Sequence, residues 1–149
     1  MASLTDAAET SLLALLFNNT AFAHVGDAAG LQPSSTAGST RLSLATVAYV
    51  DADTTMTADE AAYTGYVRPT QARSGAGWTV ANDTAENAAL IQFGESSTGP
   101  ETEVHVGLCF RGDTVDTLHL HQDLTGAGLT VNSGVNPQFA ISALVWTAA

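Results

Sequence analysis

The chain has 149 residues, with 4 basic side chains, all arginine, against 15 acidic ones, and its formal net charge is −11. This acidic excess excludes a cationic surface of the kind that binds nucleic acid or anionic lipid. The hydrophobic content of 45% is far above that of disordered chains, and the length suits one domain, so we expect residues 1–149 to fold as a single domain.

The first predicted element is a helix over residues 5–17. Thr5 suits the N-cap position, Asp6 and Glu9 suit the positive end of the helix dipole, and an asparagine of the following "NNT" can end the helix in a left-handed conformation. Its apolar face is expected to consist of Leu12, Leu13, Leu15, Leu16 and Phe17.

The N-terminal region does not have the pattern of a secretion signal or of a membrane span. No basic residue precedes its apolar stretch, and acidic residues interrupt that stretch. No run in the chain approaches the roughly 18 consecutive apolar residues that a membrane-crossing helix needs. We therefore expect a soluble protein that is made in the cytoplasm of its host and does not bind membranes.

Residues 24–40, "HVGDAAGLQPSSTAGST", are rich in Gly, Ser and Ala and are expected to form a loop. A loop longer than about 12 residues commonly has a function, so this segment is a candidate interaction loop. From Arg41 to Val50 apolar residues recur with a period of two, which predicts a strand.

Further short strand-like segments follow, separated by turn sequences such as "SGAG" and "TGAG". Seven or eight strands are expected after the single helix. This order argues against a parallel sheet with crossover helices. It predicts a mainly β fold, an antiparallel and jelly-roll-like β-sandwich with one short N-terminal helix.

The segment "YTGYVRPTQAR" holds two arginines in a chain that has no lysine. We expect a strand in which Tyr66 and Arg68 share a face, with Pro69 confining it to a sheet edge or a bulge. Because arginine pairs with carboxylates through a planar fork, each arginine is expected to clamp an acid of its own subunit or of a neighbour. The candidate interface residues are Arg41, Tyr66, Arg68, Arg73, Trp78 and Arg111.

A metal site is chemically possible around "TLHLHQD". His119 and His121 are expected on one face of a strand, with Asp116 and Asp123 near its ends. Glu103 and His105 on the preceding strand could approach them, depending on the register. A partly exposed histidine face accounts for the same pattern, so we expect no metal and no cofactor, and binding by His105, His119 and His121 stays an open alternative.

Catalytic motifs are weak. The chain has no Gly-x-Ser-x-Gly sequence, and its single cysteine, Cys109, is expected to be a buried, inert thiol. Glu101 and Glu103 would lie about 7 Å apart on one strand face, near the separation of inverting glycosidases. Fifteen acids produce such pairs by chance, so we expect no enzyme and no catalytic residues. The "RGD" at residues 111–113 is expected to be a hairpin turn.

Several segments, in this order, resemble one family of proteins. Among their shared features are Tyr66 and Arg68, an Asn-Ala followed by Ile91 and Phe93, and "VGL" at residues 106–108. The segments are "SLLALLFNNTAF", "RLSLATVAYV", "YTGYVR", "GWTVANDTAENAALIQF", "TEVHVGLCF" and "LTVNSGVNPQFAISALVWT". From about residue 5 to residue 147 the chain is similar to small β-rich structural proteins in the virions of tailed bacteriophages. It departs from the usual pattern at "YVDADTTM".

The resemblance implies a virion protein without catalysis. It implies a decoration or cement protein that binds the major capsid protein of the assembled head and stabilises the shell. The alternative is a tail or tail-fibre subunit, with Trp78, Tyr63 and Tyr66 stacking on host-surface glycans. Symmetric placement on a particle implies a homo-oligomer, a trimer or a dimer. In the head role, the helix and the loop at residues 24–40 are expected at subunit contacts.

Overall fold

The computed structural model of the chain describes residues 4–111 and 116–148. The described residues form one helix and eleven short strands. These are α1 Asp6–Asn18, β1 Ser39–Ala45, β2 Thr70–Ala72, β3 Trp78–Ala81, β4 Thr84–Asn87, β5 Ile91–Gln92, β6 Glu101–Glu103, β7 His105–Cys109, β8 Leu120–Asp123, β9 Leu129–Val131, β10 Gln138–Phe139 and β11 Val145–Thr147.

The prediction of a mainly β fold with one short N-terminal helix is confirmed. The strand pairs run antiparallel, and the sheets are consistent with a β-sandwich. The strands are more numerous and shorter than expected. Residues 4–39, 71–90 and 139–148 group into one compact unit, and residues 40–70, 91–111 and 116–138 into a second. The prediction of a single domain stays a prediction.

Helix α1 begins and ends as its sequence predicts. The Thr5 hydroxyl accepts a hydrogen bond from the Ala8 amide (3.4 Å), and Asn19 closes the helix in the left-handed region with φ 52°. The buried face differs from the expected run of leucines. It consists of Glu9, Leu13 and Phe17, which are four residues apart and therefore lie on one side of the helix.

In the first unit, α1 packs against β3 and β4 of a three-stranded sheet with the order β11-β4-β3. The Phe17 ring meets the fully buried Trp78 ring edge-on, with centroids 4.8 Å apart. Asn87 at the end of β4 donates from Nδ2 to the carbonyls of Ala89 and Ala140, both at 2.8 Å, and its Oδ1 accepts from the Leu144 amide. One buried amide thus joins the chain after β4 to the segment that precedes β11.

In the second unit, β7 lies between β1 and β8, and all five of its residues are buried. A separate pair joins β6 to β9, with Glu103 opposite Leu129. Strand β1 ends at Ala45, five residues before the predicted end at Val50. The chain turns away there, and the Thr46 amide donates to the Asp59 carbonyl (2.8 Å) rather than continuing the pairing with β7.

The predicted strand through Tyr66 and Arg68 is wrong. Residues 66–69 have no strand pairing, and β2 begins only at Thr70, after Pro69. Proline has no amide proton for a strand ladder, and a turn at Gly65, with φ 103°, precedes this segment. The Pro69 carbonyl still accepts from the Leu42 amide (3.0 Å), so the extended segment lies beside β1 without forming a strand.

Candidate interaction surface

The loop at residues 19–38, which we call the 19–38 loop, has no helix or strand but is held by its own hydrogen bonds. Asn19 and Ser34 bond reciprocally, side chain to backbone, at 2.9 Å in each direction. Phe22 and Leu31 form an antiparallel bridge with two backbone bonds of 3.0 and 2.9 Å. At its tip, Asp27 accepts from the amides of Ala29 (2.8 Å) and Gly30 (2.9 Å). The prediction of a loop over residues 24–40 is confirmed as far as Gly38, whereas Ser39 and Thr40 already belong to β1.

The same loop leaves apolar side chains in solvent. Val25 is 39% exposed and Leu31 is 47% exposed, although both belong to the hydrogen-bonded part of the loop. A loop that is already ordered loses little conformational entropy when it binds. The 19–38 loop therefore offers a preformed contact surface with apolar side chains at its tip and base.

Arg73 links the 19–38 loop to the end of α1. Its guanidinium donates to the carbonyls of Leu15 (2.8 Å), Leu16 (2.7 Å) and Ala37 (3.1 Å). The first two carbonyls belong to the last turns of the helix, where α1 has no basic residue of its own. Among the described residues, Arg73 bonds backbone carbonyls rather than a carboxylate of its own subunit, and its pairing with an acid of a neighbour stays a prediction. Burial lowers the pKa of this guanidinium.

Arg68 is the arginine for which pairing with acids is confirmed. Its Nε and Nη2 bond both carboxylate oxygens of Glu60 at 2.5 Å, and its Nη1 bonds Asp116. The Arg68 side chain is 7% exposed and that of Glu60 is 17% exposed. Hydrogen bonding to Glu60 raises the pKa of Arg68, so the guanidinium stays charged. The pair stabilises the fold of its own subunit.

The aromatic candidates lie largely inside the protein. Trp78 is fully buried, and Tyr63 is 4% exposed, with its hydroxyl donating to the Gly94 carbonyl (3.1 Å). Tyr66 accepts from the Leu44 amide (3.1 Å) and stacks on Phe93, with centroids 6.0 Å apart. These rings make internal contacts, which argues against a role in stacking on glycans.

The two remaining arginine candidates differ in exposure. Arg41 is half-buried on β1, opposite Cys109 on β7, and Arg111 is exposed just after β7. Cys109 is buried with a free thiol, as expected. The predicted "RGD" turn includes residues 112 and 113, which lie outside the described residues.

The histidines do not assemble as the metal hypothesis requires. The rings of His105 and His121 stack with centroids 5.8 Å apart, and the Tyr49 amide donates to Nδ1 of His105 (3.1 Å). Nε2 of His105 faces a carboxylate oxygen of Asp123. His119 instead meets the Phe110 ring edge-on. Within residues 4–111 and 116–148, no group of three His, Cys, Asp or Glu side chains is arranged to hold a metal ion.

Glu101 and Glu103 lie on the same face of β6, as predicted, but their environments differ. Glu103 is fully buried, whereas Glu101 is half-buried and accepts from the backbone amides of residues 62 and 63. A carboxyl without access to solvent cannot meet a polysaccharide, so this pair does not form a glycosidase site in the folded protein. The alternation of the sequence indicated the shared face but not the burial.

No protein-family model and no curated protein matches the chain. Within the part of the chain that the structure describes, no helix has both the length and the apolar character needed to cross a membrane.

Proposed function

We propose that this chain is a structural protein of a tailed-phage virion that binds the assembled head shell and stabilises it. The observation that carries the proposal is the 19–38 loop, which is ordered by its own bonds while Val25 and Leu31 remain exposed. Such a loop suits a protein whose work is to bind a larger surface. The resemblance of the sequence to small virion proteins is the reason for proposing a phage particle, and the major capsid protein is the proposed partner.

The use of the arginines supports a mechanical role. Arg68 is occupied by Glu60 and Asp116, and Arg73 by the end of α1 and the 19–38 loop. These two cations rigidify the fold, so we propose that the 19–38 loop contacts the shell through its apolar and polar groups. Many modest contacts, repeated at symmetric positions, then add up to firm binding.

The alternative role as a tail or tail-fibre subunit has weaker support. Its specific feature was an aromatic surface for glycans, and Trp78 and Tyr63 are both buried. Placement on a symmetric particle also leads us to propose a homo-oligomer, either a trimer or a dimer. Light scattering of the purified protein measures this state, and a monomer at micromolar concentration would contradict it.

Co-sedimentation with expanded head shells that lack the protein tests the proposal. We expect saturable binding and a gain in the resistance of the shells to heat and shear. Replacing Val25 and Leu31 by Asp together removes two apolar contacts and adds charge, so the Kd is expected to rise by at least about tenfold. Val67→Asp is the matched control, because Val67 is 63% exposed and lies outside the loop.

Two outcomes would contradict the proposal. In the first, wild-type protein fails to bind shells or binds only purified tails. In the second, the double variant keeps its wild-type circular dichroism spectrum and binds shells as tightly as Val67→Asp. The spectrum matters because it separates loss of contact from loss of fold.

A further inference from the structure

One carboxyl group of the second unit, that of Glu103, is enclosed by the protein. Glu101 and Glu103 are two residues apart on β6, and the Glu103 residue has no exposed surface. Strand β6 is itself fixed by pairing with β9, where Glu101 faces Val131 and Glu103 faces Leu129. Water therefore does not reach Glu103, whereas Glu101, on the same strand face, is half-buried.

Glu101 has hydrogen-bond donors in the backbone. Its Oε1 accepts hydrogen bonds from the amides of Ala62 (2.8 Å) and Tyr63 (3.2 Å). The same bonds attach the chain at residues 62–63 to β6.

Glu103 has no comparable partner. Neither of its oxygens receives a hydrogen bond from a donor among the described residues. A buried negative charge without a hydrogen-bond donor is strongly unfavourable, so the enclosed Glu103 carboxyl is expected to carry a proton.

The titration of Glu103 supports this assignment. Burial, and then the neighbouring Glu101, raise the pKa of Glu103 from 4.5 to about 8. The other titratable group on this side is Tyr63, whose pKa is raised to about 12 by burial and by the two glutamates, so it is neutral at physiological pH. From β9, the residues opposite Glu101, Thr102 and Glu103 are all uncharged.

We propose that Glu103 is a proton-dependent latch, in which a proton on its carboxyl keeps β6 closed on β9 and on the chain at residues 62–63. When that proton is lost, a negative charge without a hydrogen-bond donor is buried, and opening of β6 lets water reach it. The latch is a property of the fold and is independent of the proposed virion role.

The direction of the pH dependence follows from the raised pKa. The closed state keeps the proton up to about pH 8, whereas an exposed glutamate loses it near its ordinary pKa of 4.5. Stabilisation by the latch is therefore complete below that ordinary value and declines as the pH rises toward the folded-state pKa. Above the folded-state pKa, a further rise in pH does not change the contribution of Glu103 to stability.

Hydrogen exchange of the β6 and β9 amides between pH 6 and 9 tests the latch. After correction for intrinsic exchange, the opening constant of wild-type protein is expected to rise severalfold per pH unit up to pH 8, with about tenfold as the limit for one released proton. Glu103→Gln, which cannot ionise, is expected to give a flat profile. Glu95→Gln, at an exposed position, is the matched control and should keep the wild-type slope.

Infrared spectroscopy of the wild-type protein gives a second readout that needs no variant to fold. We expect one protonated carboxyl band at pH 6 to 7, which disappears as the pH is raised through 8. Absence of that band would overturn the latch. So would equal slopes in wild type and Glu103→Gln, or abolition of the wild-type slope by Ca²⁺ or Mg²⁺, since a cation rather than a proton would then hold the two carboxyls together.

Discussion

Replacing Arg68 by Met should strongly destabilise the protein. Methionine keeps the apolar stem of the side chain and removes only the charged fork, so the loss of stability reports on the ion pair. The Arg68 side chain is 7% exposed, and Glu60, which it bonds through two contacts of 2.5 Å, is 17% exposed. Breaking a buried ion pair commonly costs about 3–5 kcal/mol, since the remaining charge is left without a partner. Asp116 is 45% exposed, so its bond adds no more than about 1 kcal/mol.

We therefore expect Arg68→Met to lower the free energy of unfolding by about 3 kcal/mol. Arg68→Lys keeps the charge but not the two-pronged geometry and should lose about 1–2 kcal/mol. Asp116→Asn should lose about 1 kcal/mol or less. Equilibrium denaturation in urea, monitored by circular dichroism, measures all three variants.

A double-mutant cycle isolates the pair itself. Glu60→Gln is combined with Arg68→Met, and the coupling energy is expected to be at least about 2 kcal/mol, because each single change leaves a group unpaired that the double change does not. A coupling energy near zero, or an Arg68→Met variant as stable as wild type, would refute the reasoning that this pair is a buried clamp.

Two further changes test the backbone contacts that the structure identifies. Gly65→Ala should lower the free energy of unfolding by about 3 kcal/mol or prevent folding, because Gly65 has φ 103° and an added Cβ would lie 2.0 Å from the Glu95 carbonyl oxygen. Gly75→Ala is the control. A Cβ at Gly75 would meet no atom within 4 Å, so the urea midpoint should stay unchanged. Arg73→Met should cost about 2 kcal/mol and speed hydrogen exchange in the last turn of α1, and unchanged exchange there would show that Arg73 does not cap the helix.

Local features of the fold could be predicted from the sequence. Thr5 and Asn19 at the two ends of α1 were readable as caps, because capping depends on residues within a few positions of one another. The 19–38 loop was predictable from its Gly, Ser and Ala content. The bonds that order it, such as the reciprocal pair of Asn19 and Ser34, were not, because they join residues 15 positions apart.

Features that depend on long-range register could not be predicted. The sequence showed that the chain has many more acidic residues than arginines. It did not show that Arg68 pairs with Glu60 and Asp116, which lie 8 and 48 positions away in the sequence. Alternation in "ETEVHV" suggested one continuous strand. The structure instead divides it into β6, which pairs with β9, and β7, which pairs with β1 and β8. That division places Glu103 opposite Leu129 of β9, while His105 stacks on His121 of β8.

Electron cryomicroscopy of purified virions that contain this protein tests the central proposal most directly. We predict density that fits the antiparallel sheets and α1 at regularly repeated positions on the outside of the head shell, with the 19–38 loop against the major capsid protein. Density confined to the tail, or no repeated density for the protein on the head shell, would contradict the account.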